Sequence, residues 1–520
     1  MANVTQRQTS GLYELTDSAR EELKGSSYYN EDLAPTSVAS RTWGTYNISA
    51  LWIGMAVSIP AFTMASGLVQ MGFSPWWAVF NVTLGNLLVL IPIQLNSHAG
   101  TKYGIPFPIF SRLTFGMRGA HIPSISRAIA ACGWNAIQCW IGGGAVVALI
   151  GLIVPGFGGE FSHVFIGFLV FLALNIWLTI SGHEKIKVFE SLSAPLLALL
   201  CIGVLVWSTA LATSYGFSVG QVLSAPSNFD LLAQNGGAAL VFMIGLTANI
   251  GFWGTMAINI PDFSRYAKSQ KDQFRGQLYG MPIFMLGCAF IGAYMAQATT
   301  LAWGAAIFNP MLILGHIDSG IIVFIVSLGV IVATATTNIA ANIIAPANGF
   351  SNLNPKRISY RTGIIITGLT AVLFQPWHLM GGAAALFNAF IGTYGGMLAP
   401  LAAIFVADYY MVKKCRVDVS SLFKGESGRY WYSNGFNSRA VIAWVAGFIL
   451  PTIGRIMAVA AGGGAGGAQV INNAFFRYIT ANAYIFGFVV ALVVYVIIMD
   501  KSHLSFVSAE EENTITSTTA

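Results

Sequence analysis

Charge is what this chain has least of. Of its 520 residues only 9% are Asp, Glu, Lys or Arg, while 55% are hydrophobic, and the mean hydropathy is +0.67. Soluble domains carry about 25% charged residues, so a soluble globular protein is excluded. Acids are scarcer than bases, 20 Asp and Glu against 26 Lys and Arg. All the acids fall in predicted tails, loops or span ends, with Glu190, Asp262 and Asp408 nearest to the core; no buried charge is expected. The net charge of +6 could suggest a nucleic-acid partner. That reading fails, because the bases sit in short loops between apolar runs, where membrane topology accounts for them. The five cysteines, Cys132, Cys139, Cys201, Cys288 and Cys415, show no metal-ligand spacing and are expected as free thiols. The seven histidines lie near span ends or in loops and form no ligand cluster, so neither an enzyme nor a cofactor is expected. A polar first 45 residues gives no expectation of a cleavable secretory signal.

Long apolar runs are what the chain has instead. A bilayer admits only helices or closed barrels. Runs of about 20 residues favour helices, since barrel strands alternate over roughly 10. The pattern predicts an all-α membrane protein of about 12 transmembrane helices with lipid around it. Expected segments are a cytoplasmic N-terminal tail (1–45, mobile at its start), a first five-helix unit (46–213), a second (237–408), a cytoplasmic loop (409–437), two additional helices (438–499) and a polar, disordered C-terminal tail (502–520). With the N-terminus inside, every Lys and Arg except Arg455 and Arg477 falls on the inner side. The positive-inside rule thus predicts a multi-pass plasma-membrane protein with both termini cytoplasmic.

One stretch occurs twice. Leu51–Phe62 reads LWIGMAVSIPAF, and Phe252–Phe263 reads FWGTMAINIPDF. Trp52/Trp253, Met55/Met256, Ala56/Ala257, Ile59/Ile260, Pro60/Pro261 and Phe62/Phe263 match in register. Each copy carries a proline that interrupts a helix. Five spans separate the copies, so the second is inverted. A repeated, inverted, broken helix is the mark of a transporter that binds its substrate at the breaks. This gives a LeuT-type 5+5 inverted repeat plus two extra helices.

Four motifs then carry a resemblance: KYGIPFPIFSRLTFG (Lys102–Gly116), NIPDFSRYAKSQKDQ (Asn259–Gln273), NPKRISY (Asn354–Tyr360) and ADYYMVKK (Ala407–Lys414). In combination they resemble the nucleobase:cation symporter-1 family, whose members carry hydantoin, cytosine, allantoin and uracil. The look is closest to its allantoin and uracil permeases, and it runs from about Asn30 to Lys414. The resemblance implies alternating access and cation symport.

Trp134 and Gln138 are four apart and share a helix face. A ring beside an amide can stack on a flat heterocycle and bond its edge, or simply pack and bridge helices. The resemblance implies the first, and adds Trp253 on the opposite substrate face, Asn342 on the edge and Ser58 at the break. Asn338, one turn before Asn342, is its rival. Stacking is worth roughly 1–3 kcal/mol per base, and two amides supply donors and acceptors without charge. The expected ligand is a neutral planar nucleobase or ureide.

For the coupling ion, the resemblance implies Gly54 and Val57 on the first broken span and Ala333, Thr336 and Thr337 on span 8. Oxygen ligands suit a hard cation, although threonine also back-bonds within membrane helices. Sodium is favoured, with a proton as the alternative. An amino-acid or amine symporter of the same fold would need groups for a carboxylate or ammonium, and the paired tryptophans argue against it. A channel fits a stoichiometric site less well. The sequence carries no signal for oligomeric state.

Overall fold

A computed structural model of the chain describes residues 6–306, 319–381, 384–463 and 467–499. The tail expected at 502–520, and parts of the tenth expected span and of the glycine-rich run near 464, lie outside the described residues.

Residues 6–45, within the segment expected as an N-terminal tail, are folded. A hairpin, β1 (Gln6–Thr9) and β2 (Leu12–Leu15), leads into helix α1 (Asp17–Lys24). Leu12, Tyr13, Leu15, Ala19 and Leu23 are buried against the body of the protein. Arg41 holds this segment down: its guanidinium donates to the backbone oxygens of Tyr13, Thr36 and Thr101. Burial pushes Arg41 down to about 10, so it stays a cation at neutral pH. Strands of four residues are too short for alternation to stand out from a polar background.

The body is helical: α2 (Thr45–Ala56), α3 (Ile59–Gln70), α4 (Pro75–Tyr103), α5 (Phe107–Phe115), α6 (His121–Gly151), α7 (Phe161–Ile180) and α8 (His183–Ser214). Two short helices, α9 (Val219–Leu223) and α10 (Phe229–Gln234), connect to α11 (Ala238–Gly254), α12 (Met256–Asn259), α13 (Pro261–Ser264) and α14 (Gln270–Trp303). Beyond these come α15 (Gly320–Asn338), a π-helical turn (Ile339–Ile343) and α16 (Ile344–Leu353), then α17 (Tyr360–Leu373), α18 (Pro376–Gly381), α19 (Ala384–Val406), α20 (Ser438–Ala460), α21 (Ala474–Ala481) and α22 (Ala483–Ile498). Among the described residues nine are long and apolar enough to cross a bilayer, or up to 11 when two bent pairs each count as one. With 14 residues, α17 is shorter than the usual span.

Both copies of the repeat are interrupted, in different ways. Between α2 and α3, Val57 and Ser58 leave the helix, and the two halves meet at 55°. Pro60 sits in the first turn of α3, where its missing N–H costs nothing. In the second copy the interruptions fall at Thr255 and Ile260, both still in right-handed helical conformation, and Pro261 opens α13. Helix α14 runs along the first broken pair. Gly276, Gly280 and Gly292 allow it, because a Cβ there would come within 2.5, 2.6 and 2.3 Å of Ile48, Trp52 and Phe62. Small residues at such contacts let membrane helices approach by van der Waals packing.

The expectation that no charge is buried is wrong. Glu190, Asp262 and Asp408 are all buried. Asp408 is paired with Lys413, with 2.6 Å from Nζ to Oδ2, and accepts the Tyr495 hydroxyl at 2.8 Å. Asp262 Oδ1 accepts the Phe107 N–H at 3.0 Å, at the start of α5. Glu190 has no such partner. Hydropathy placed it at the edge of a span starting near 190, but α8 begins at His183, so Glu190 lies two turns inside.

Candidate functional site

The residues expected to meet the substrate lie on α6, α11 and the π-helical turn, with Ser58 at the first break. Trp134, on α6, is buried, and its Nε1–H donates to the Tyr394 hydroxyl at 2.7 Å. Its ring meets Phe252 edge-on, with centroids 6.0 Å apart, and Phe252 in turn meets Trp253 at 4.8 Å. Trp52 packs edge-on against Trp253 at 5.2 Å, which agrees with a packing role for Trp52. One cluster thus holds Trp134 and Trp253, joined by Phe252. Sequence reasoning missed Phe252 and Tyr394, although Phe252 opens the second copy of the repeat. The Trp253 indole N–H is buried without a partner among the described residues. Gln138 lies one turn beyond Trp134 on α6, also buried, and its amide makes no hydrogen bond among the described residues.

The rival asparagines separate by their partners. Asn338 donates to Asn135 Oδ1 at 2.8 Å and to Asn175 Oδ1 at 3.3 Å, tying α15 to α6 and α7. It also accepts from Asn342 Nδ2 at 3.1 Å. Asn338 is therefore saturated by helix contacts, while the Asn342 carbonyl oxygen keeps its accepting capacity. Asn342 sits within the π-helical turn. Such bulges are frequent at functional sites. Ser58, at the first break, is buried with its hydroxyl unpartnered among the described residues.

Arg127, buried on α6, bridges two of these elements. Its Nε donates to Asn259 Oδ1 at 2.9 Å, and its Nη2 to the Ala341 carbonyl in the π-helical turn.

The proposed ion ligands also meet, with one exception. Thr336 and Thr337 each donate to the Gly54 carbonyl at 3.0 Å and to the Ala333 carbonyl at 2.9 Å, and Thr337 reaches Met55 O at 3.3 Å. The end of α2 is thereby sewn to α15. Val57 bonds back to the Ile53 carbonyl through its N–H, and neither threonine bonds to it. Glu190 stands at the same corner: a Cβ on Gly54 would lie 2.0 Å from its Oε2. Among the described residues no group of three or more His, Cys, Asp or Glu could hold a metal ion.

This geometry gathers rings, amides and an oxygen-lined corner where broken and unbroken helices meet. A family model described as a permease for cytosine/purines, uracil, thiamine and allantoin matches residues 35–499. The chain belongs to this permease family. The purine-uracil permease of Arabidopsis thaliana is 37% identical over 487 residues, covering 91% of this chain and 78% of that protein. The allantoin permease of Bacillus subtilis is 35% identical over 439 residues, covering 83% of this chain and 88% of that one. Among solved structures, MHP1, a nucleobase-cation-symport-1 transporter closed around bromovinylhydantoin, matches with a TM-score of 0.73 at 21% identity, over 94% of this chain and 99% of that one. A Na+-coupled sialic acid symporter matches more loosely, with a TM-score of 0.56 at 14% identity, over 88% of this chain and 90% of that one. The permease is thus a multi-pass membrane transporter of the LeuT-type fold and not an enzyme.

Proposed function

We propose that this permease imports a neutral, planar nucleobase or ureide across the plasma membrane, together with a cation, by alternating access. One observation carries the reading. Trp134 and Trp253 join one aromatic cluster, while Gln138 and the Asn342 oxygen keep amide capacity for a ligand. Rings stack on a flat solute, and neutral amides read its N–H and C=O groups. The purine-uracil and allantoin permeases among the relatives support that substrate class. A competition panel in cells tests it. Uptake of labelled uracil or allantoin should yield to unlabelled cytosine, hydantoins or purines and be indifferent to amino acids. Displacement by an amino acid, with none by any planar ring, would refute it.

The cation would bind where Gly54, Ala333, Thr336 and Thr337 converge, with the Val57 carbonyl completing the set from the break. Sodium suits such oxygens. Thr336→Ala should raise the cation concentration needed for half-maximal uptake about 5-fold, as the loss of one net hydrogen bond of ~1 kcal/mol implies. Titrating uptake against sodium and against pH in the variant checks this; an unchanged midpoint in both would remove Thr336 from the ion path. A second reading, a proton, is favoured by Glu190.

A further inference from the structure

We propose that Arg127 is the inner latch of the transport cycle: its guanidinium ties the second helix break to the π-helical turn, and substrate leaves inward when that tie opens. The inference rests on the alternating-access reading above. Two packed bodies meet at Arg127. Helices α12 and α13 belong to the first, which includes α4. Asn96 of α4 donates to the Ala257 carbonyl at 2.6 Å, Thr101 to the Ser264 carbonyl at 2.9 Å, and Ser264 returns a bond to the Ser97 carbonyl at 2.8 Å. A Cβ on Gly100 would come within 2.8 Å of the Pro261 Cα, so α4 and α13 lie in close contact. The π-helical turn and α16 belong to the second body, with α6. A Cβ on Gly349 of α16 would lie 3.2 Å from the Ser124 carbonyl of α6. Asn338, just before the turn, donates to Asn135 of α6 at 2.8 Å. Hydrogen bonds join the two bodies at each break: from the threonines of α15 at the first, and from Arg127 at the second.

Arg127 is well placed for this role. It lies seven residues before Trp134 on α6, about two turns or ~10 Å toward the end that follows the basic loop. The charge pattern puts that end inside. The side chain is buried, and its charge is offset by Asp262, three residues beyond Asn259. A buried guanidinium is costly where its bonds are incomplete, and here Nη1 has no partner among the described residues. A cation one bond short of saturation suits a contact that is made and broken in each cycle. The two breaks are therefore fastened by different means. At the first, hydroxyls and carbonyls would hold a cation that comes and goes. At the second, the chain supplies a cation of its own that stays.

Arg127 acts as a positioning residue, through the groups it holds. Ala341 precedes Asn342, and Asn259 follows Trp253 by six residues. While the tie is closed, the amide and the ring proposed for the solute are kept at a fixed separation. Inward release needs α12 to part from the π-helical turn. Arg127 Nε–H then leaves Asn259 Oδ1, and inner water takes the place of each partner. No covalent bond changes.

The full-length protein tests this. Asn259→Ala removes the cross-bond alone and leaves Arg127 on the Ala341 carbonyl. In the purified variant, with no substrate present, the amides of residues 256–264 should exchange with heavy water about 10-fold faster than in the wild type, the factor that one hydrogen bond from a charged donor is worth. Those of 339–343 should keep the wild-type rate. In cells, the outer concentration of labelled uracil or allantoin giving half-maximal uptake should rise by a similar factor, with the maximal rate retained. Wild-type exchange at 256–264 in the variant overturns the latch, and so does equal acceleration of both stretches, which marks a general loss of packing. Should Asn259→Ala fail to fold, the wild type decides in proteoliposomes. Phenylglyoxal should modify Arg127 at least about 5-fold faster during substrate exchange than at rest, because reaction follows opening, while Arg112, equally buried on α5, should not respond. An Arg127 as unreactive as Arg112 throughout exchange overturns the latch with no variant required. Failure of the wild type to exchange any planar ring strikes the substrate reading instead, and the amide measurement then decides on the latch by itself.

Discussion

Trp134→Ala is expected to reduce uptake to background while the protein still reaches the membrane in normal amount. The side chain does two things at once. On the proposed reading its ring offers a face to the substrate, and its N–H holds the Tyr394 hydroxyl at 2.7 Å. Losing a stacked base costs roughly 1–3 kcal/mol, or about 5- to 150-fold in affinity, and the gap beside Phe252 adds to the loss. Trp134→Phe should recover part of the affinity, because a ring remains, but not the bond to Tyr394. Uptake kinetics alongside quantification of surface protein separate the two effects. Uptake of wild-type size by the alanine variant would show that Trp134 merely packs.

Asn342→Ala should be nearly as damaging to transport and cost less stability than Asn338→Ala, since it removes one hydrogen bond rather than several. Its oxygen accepts nothing from the described residues, so a ligand N–H would lose its acceptor, while the fold loses only the one bond that the amide donates to Asn338. Leaving a ligand donor without its acceptor costs about 1–3 kcal/mol, or 5- to 150-fold in apparent affinity. Asn338→Ala should behave in the opposite way. It strips hydrogen bonds from Asn135 and Asn175, and the orphaned amides should lower the thermal midpoint of the purified protein. Melting curves for both variants, set beside their substrate affinities, distinguish them. If Asn342→Ala melts early with its affinity unchanged, the two asparagines have exchanged roles.

The repeat was legible because proline leaves a mark on the backbone that no packing choice hides: both copies are interrupted within a few residues of Pro60 and Pro261. The Trp134–Gln138 pair was legible through helical spacing. Asn342 and Asn338 could not be told apart, since both are amides on one face, and only the partners reached from α6 and α7 separate them. Glu190 was misplaced for a physical reason. Hydropathy ends a span at the first charge, whereas a helix continues wherever a neighbour makes room; for Glu190 that room is the missing side chain of Gly54. The folded N-terminal segment was missed because its short strands take their partners from distant loops, such as Val417, which Gln6 reaches across the chain.

The π-helical turn at Ile339–Ile343 has a geometric consequence of its own. A π turn holds one residue more than an α turn, so everything after it is rotated by about 100° relative to an uninterrupted helix. The threonines before the turn face α2, and Asn342 within it is set on a different azimuth. One continuous rod therefore presents two independently aimed sets of polar groups, the threonines proposed for the ion and the asparagine proposed for the solute. Its offset is a phase angle written into the backbone, which point changes in either set leave untouched.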